Sequence, residues 1–71
     1  MSYKISQQLG AKIQRVRKTR KMTQEELASK IGVQTATISN IEGGKTDTSV
    51  YTVYKIAQVL KSHVRDLFTF R

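Results

Sequence analysis

The sequence predicts an all-α fold, a compact bundle of five short helices. Three observations carry the prediction. Apolar residues recur at helical rather than alternating spacing, as in Ile5, Leu9, Ile13 and Val16 at i, i+4, i+8 and i+11. Start and stop signals follow one another closely, with Thr23, Gly32, Gly43-Gly44 and Ser49 cutting the chain into short segments. The 71 residues include no cysteine and no proline, so no disulfide or thiolate metal site staples the chain. A chain of this length sits near the lower limit for folding on one core, where burial barely offsets chain entropy. Short helices packed across one another, helped by dimerisation, are the economical solution. Residues 1–71 read as one domain.

The first helix is expected over roughly Tyr3 to Arg20, with lysine, arginine and glutamine opposite its apolar stripe. Gly10 interrupts it and should cost about 1 kcal/mol against alanine, so residues 1–8 are expected to fray or form a separate turn. Lys21-Met22 is a connector. Thr23-Gln24-Glu25-Glu26 fits a capping box, in which the threonine and the glutamate three residues on each bond the other's free N–H. The second helix is placed at 23–31 and ends at Gly32. A third is expected from about Gln34 to Glu42, with Gly44 in the left-handed position after its end. Residues Lys45 to Thr48 form a loop. Ser49 caps a fourth helix whose apolar side is read as Val50, Val53, Tyr54, Ile56, Ala57 and Leu60. Lys61-Ser62 makes a turn, and His63 to Phe68 can form a last short helix with His63 at its start.

Charge narrows the function. Thirteen Lys+Arg stand against five Asp+Glu, a net +8. Lys12, Arg15, Arg17, Lys18, Arg20 and Lys21 fall within ten residues. An isolated charge run is a solvated face, but +8 on so short a chain points to a polyanion, and nucleic acid is the commonest. A membrane surface is the rival; it wants bulky apolar residues opposite the basic face of a helix free to lie down. No apolar run approaches the roughly 18 residues needed to cross a bilayer. The stretch MSYKISQQLG has no apolar centre like that of a signal peptide. The expected compartment is the cytoplasm, on nucleoid DNA.

The third helix is the informative one. GVQTATISNIEGG is rich in β-branched residues, which are mediocre helix formers. With Gln34 at zero and about 100° per residue, Ile38 and Ile41 point one way, at about 40° and 340°. Thr35, Ala36, Ser39 and Asn40 point the other way, between about 100° and 240°. The outward face thus holds two hydroxyls, a methyl and an amide, with no lysine or glutamate. Hydroxyls and amides suit base edges, and a methyl suits that of thymine. The bland alternative is that these residues only cap or fill. Two short helices joined at a glycine, the second one weak, is the helix-turn-helix plan. In it the second helix lies in the major groove.

The run TQEELASKIGVQTATISNIEGGK, Thr23 to Lys45, resembles the Cro/repressor-type (XRE-like) helix-turn-helix family of phage repressors and small bacterial regulators. The flanking IQRVR (Ile13 to Arg17), SVYTVYKIAQVL (Ser49 to Leu60) and VRDLF (Val64 to Phe68) match as well. The resemblance covers about residues 9–68 and implies a lambda-repressor-like DNA-binding fold. It implies that Gln24 bonds a DNA phosphate and orients the start of the third helix. Gln34, Thr35, Ala36 and Asn40 match base-contacting positions, and Ser39 shares their face. Arg17 and Glu42 match a partly buried ion pair, with Arg17 also near phosphate. Gly43, Lys45 and Thr46 match a loop along the backbone. Gly43 stands where a polar residue is common, which leaves its N–H as the expected contact. Thr48 stands where proline is common. Lys61 stands where glycine is usual, so that turn is expected to be built differently. Tyr51 and Tyr54 are bulkier than the pattern.

The predicted function is a sequence-specific double-stranded DNA-binding transcriptional regulator, a homodimer on a (pseudo)palindromic operator. Phage-type repressors and restriction–modification controllers are the family's short examples. The alternative is an antitoxin or co-regulator that mainly holds a protein partner; a chain ending three residues after its last helix argues against it. An enzyme is not expected: there is one histidine, and the five carboxylates fall in caps, loops and the ion pair. No cofactor, metal or small-molecule ligand is expected. No sheet is expected to carry aromatic residues for single-stranded RNA. Val64, Phe68 and Phe70 are the expected dimer contacts, with Leu67 turned inward.

Overall fold

The computed structural model describes residues 3–69. Five helices follow in order: α1 (Tyr3–Thr19), α2 (Gln24–Ile31), α3 (Thr35–Glu42), α4 (Val50–Val59) and α5 (Val64–Leu67). There is no strand among the described residues. α3 packs on α1 and α2, α4 on α2, and α5 against α1 and α4. The body measures 27 × 21 × 19 Å. Every helix contributes to one apolar core. Leu9, Ile13, Leu27, Ile38, Val53, Ile56, Leu60 and Leu67 are all essentially without solvent contact.

The caps follow from local chemistry. Thr23 Oγ1 accepts from the Glu26 N–H at 3.0 Å. Glu26 Oε1 accepts from the Thr23 N–H at 2.9 Å. These bonds hold the Glu26 carboxyl below its usual range, the Thr23 N–H being the larger cause. Gly32, at φ 77°, turns the chain from α2 towards α3. Ser49 Oγ accepts from the Thr52 N–H at 3.1 Å and starts α4.

Three expectations are corrected. α1 runs unbroken through Gly10 rather than fraying before it. The reason is contact: a Cβ on Gly10 would overlap Ile41 O and stand 2.7 Å from Glu42 O. Glycine lets the end of α3 press directly on α1. Val50 and Tyr54 do not belong to the inner side of α4; they are 76 % and 49 % exposed. Lys61 does take the left-handed conformation, at φ 55°, as Lys21 does at φ 56°. The turn after α4 keeps its shape because Leu60 O accepts from Arg20 Nε at 2.8 Å and the Ser62 N–H returns to Ala57 O at 2.9 Å.

Candidate nucleic-acid interface

α3 is held from behind and open in front. Ile38 and Ile41 enter the core. Glu42, on the last turn, is 7 % exposed and meets Arg17 of α1, also 7 % exposed. Arg17 Nε donates to Glu42 Oε2 at 2.6 Å, and a second guanidinium nitrogen donates to Glu42 Oε1 at 3.0 Å. A third donates to Met22 O at 2.7 Å. The bond to Glu42 raises the Arg17 pKa above its ordinary value. Two-pronged pairing of this kind fixes angle as well as distance.

Gln34, Thr35, Ala36, Ser39 and Asn40 are all exposed along the front of α3. Among the described residues, none of their side chains hydrogen-bonds within the protein. Gln34 occupies the N-cap of α3 but makes no cap bond. A serine or aspartate there would hold the helix better by about 1 kcal/mol. Instead the amide is left free. Thr37 is exposed too. The sequence reading missed it, because the wheel places it at about 300°, towards the buried side.

The expected phosphate contacts separate on inspection. Arg17 is corrected: its guanidinium is turned inward onto Glu42 and Met22, away from any backbone outside. Gln24 is tied to the end of α3 rather than its start, since Nε2 donates to Glu42 Oε1 at 3.0 Å. The expectation for Gly43 is also corrected. Its N–H donates to Ser39 O at 3.0 Å, and the next two N–H groups return to Ile41 and Asn40. The Gly43–Lys45 backbone is therefore already satisfied, and contacts from this loop fall to side chains. Lys45 and Thr46 are exposed, with Thr46 Oγ1 donating to Asp47 O at 3.3 Å.

The basic cluster also divides. Arg20 closes the end of α4, and Arg17 is buried. Lys18 and Lys21 stay exposed and line an open groove of about 430 Å³ with Thr23, Gln24 and Thr35. That groove joins the end of α1, the start of α2 and the start of α3. Outside the cluster, Lys55 Nζ donates to Ile31 O at 3.0 Å and closes the end of α2.

Of the expected dimer contacts, Val64 is partly buried against the core. Phe68 is 36 % exposed, and Phe70 lies outside the described residues. Leu67 is fully buried. Among the described residues no cluster of three or more His, Asp or Glu could hold a metal ion. No described helix is long and apolar enough to cross a membrane.

Comparison with known proteins agrees with this geometry. The helix-turn-helix family profile matches residues 13–67. An HTH-type transcriptional regulator of Archaeoglobus fulgidus is 51 % identical over 49 residues, covering 69 % of this chain and 70 % of that protein. Antitoxin HipB of Escherichia coli K12 is 44 % identical over 54 residues; the match takes in 76 % of this chain but only 61 % of HipB. The restriction–modification controller protein C.AhdI of Aeromonas hydrophila superposes with a TM-score of 0.89 at 26 % identity, covering 93 % of this chain and 96 % of that one. The fold, the motif and the relatives agree: the chain belongs to the XRE-like, Cro/repressor-type helix-turn-helix family of transcriptional regulators.

Proposed function

We propose that the chain is a sequence-specific regulator of transcription that binds a (pseudo)palindromic operator as a homodimer. One observation carries the reading. The front of α3 presents short polar side chains, with no internal hydrogen bonds, on a helix anchored from behind. Gln34, Thr35, Ala36, Ser39 and Asn40 read base edges in the major groove. Gln24, Lys45 and Thr46 set the register on the phosphates, helped by Lys18 and Lys21. One eight-residue helix reads too few bases for specificity, so two copies read two half-sites about 10 bp apart. Residues 1–71 act as one DNA-binding domain, in the cytoplasm and on nucleoid DNA. The similarity to C.AhdI supports a controller-like or repressor-like role.

The test is selection of binding sites from random duplexes, followed by footprinting. The expected result is protection of two inverted half-sites whose centres lie about one helical turn apart. A single half-site saturated by monomer overturns the dimeric reading.

A second reading has its own support in the similarity to antitoxin HipB. In it the DNA-binding domain serves mainly to hold a protein partner. Tight operator binding by the purified chain alone favours the first reading.

A further inference from the structure

α1 has an inner side that α3 occupies and an outer side that is open. With Lys4 at zero and about 100° per residue, Leu9, Gly10, Ile13 and Arg17 fall between about 140° and 240°. All four are buried. α3 presses on this side at Gly10 and pairs with it at Arg17. Lys4, Arg15 and Lys12 fall opposite, at about 0°, 20° and 80°, and span about 16 Å of helix. Gln8 and Ala11 stand between them, and Thr19 continues the line. Lys4 and Arg15 are exposed and Lys12 is partly so. Among the described residues, none of these three cationic groups makes a hydrogen bond or an ion pair within the protein.

A charged helix face in water ordinarily mixes its signs, because Glu and Lys four apart stabilise a helix. α1 does the reverse. Five of its 17 residues are Lys or Arg and none is acidic. Lys12, Arg15 and Lys18 stand three apart, where like charges repel across one turn. Lys4 sits in the first turn, at the positive end of the helix dipole. Glu42 and Asp47 reach α1 from its other side, at Arg17 and at Ser6, about 200°. The stripe works against helix stability, so its use lies outside the chain.

The neighbours of the cations decide which polyanion fits. A membrane surface wants bulky apolar side chains beside them, and a protein interface centres on buried aromatics. Apart from Ile5 at its edge, the stripe has neither. Amides and hydroxyls among cations suit the phosphate–sugar backbone of DNA, and about 16 Å of duplex carries roughly ten charges.

We infer that the Lys4–Lys12–Arg15 face of α1 binds a second segment of duplex DNA, without regard to sequence, while α3 holds the operator. The inference rests on the reading of α3 as the operator-binding face. Three phosphate contacts give a weak bond that loses about fortyfold between about 50 and 200 mM salt. It is strengthened where a second segment is already held close, as around an occupied operator.

The test uses beads carrying a duplex just long enough for both half-sites. They are loaded with protein, washed, and offered a long labelled duplex of random sequence. The wild type is expected to capture it, with the salt dependence above. The neutral triple variant Lys4→Gln, Lys12→Gln, Arg15→Gln is expected to fall to the level of beads without protein, with operator affinity and melting temperature held. The charge-preserving Lys4→Arg, Lys12→Arg, Arg15→Lys is expected to capture like the wild type. Capture that survives neutralisation overturns the inference. A neutral variant that melts well below the wild type shows that the cations serve the fold, and the inference fails. If that variant loses affinity for the short operator duplex, the stripe lies on the operator itself, and the inference fails. If polyglutamate binds the loaded beads as tightly as duplex does, the face serves an acidic protein, and the inference fails again. A wild type with no preference for the selected operator overturns the reading of α3 as well. Operator preference without capture overturns the inference alone.

Discussion

Gly10→Ala isolates what holds α3 in place. In an ordinary helix interior this change stabilises by about 1 kcal/mol. Here the new methyl would overlap Ile41 O and stand 2.7 Å from Glu42 O. An ordinary C···O contact is about 3.3–3.6 Å, so the end of α3 must withdraw from α1 by roughly 1 Å. Overpacking of that kind costs about 1–3 kcal/mol. The withdrawal also strains the 2.6 Å bond between Arg17 and Glu42, and breaking such a buried pair costs about 3–5 kcal/mol. Allowing for the helical gain, the expected net loss is about 2–4 kcal/mol. At this chain length it lowers the melting temperature by roughly 10–25 °C. Ala11→Gly, one residue on and exposed, is the control and should lose about 1 kcal/mol. Thermal melts of the three proteins decide. A Gly10→Ala protein melting at or above the wild type would refute the close approach of α3 to α1.

Arg17→Ala should cost about 3 kcal/mol, because Glu42 is left buried with only Gln24 beside it. Glu42→Ala and the double variant complete a cycle in chemical denaturation; strictly additive losses would mean that the pair does not interact. Lys61→Gly should stabilise by about 0.5–1 kcal/mol, since only glycine takes the left-handed conformation without strain. Lys61→Ala should give no such gain, and a rise in melting temperature for alanine equal to that for glycine would remove strain as the cause.

The second helix was legible because its signals are local. Thr23 and Glu26 cap each other across three residues, and Gly32 stops the helix. The outward face of α3 was legible because Ile38 and Ile41 fix the inward side. What escaped depends on partners far along the chain. Gly10 looks like a weak point until α3, some 30 residues on, is laid against it. Arg20 looks like part of a basic face until Leu60 O is found beneath it, 40 residues away. Val50 and Tyr54 fit an apolar stripe by spacing, but spacing does not say where a stripe ends. The core side of α4 turns out to be narrower, centred on Val53, Ile56 and Ala57. The loop N–H groups were misjudged because the turn at Gly43 and Gly44 returns all three to α3.

The central claim is that the front of α3 reads bases while the loop beside it holds the backbone. Binding of Asn40→Ala and Lys45→Ala to the selected operator and to a scrambled duplex, over a range of salt, tests it directly. Asn40→Ala should lose about 1–3 kcal/mol on the operator, relax preference at one base position and leave scrambled binding unchanged. Lys45→Ala should weaken both duplexes alike and reduce the salt slope by about one unit. If Asn40→Ala lowers binding to both duplexes equally, α3 does not read bases through this face.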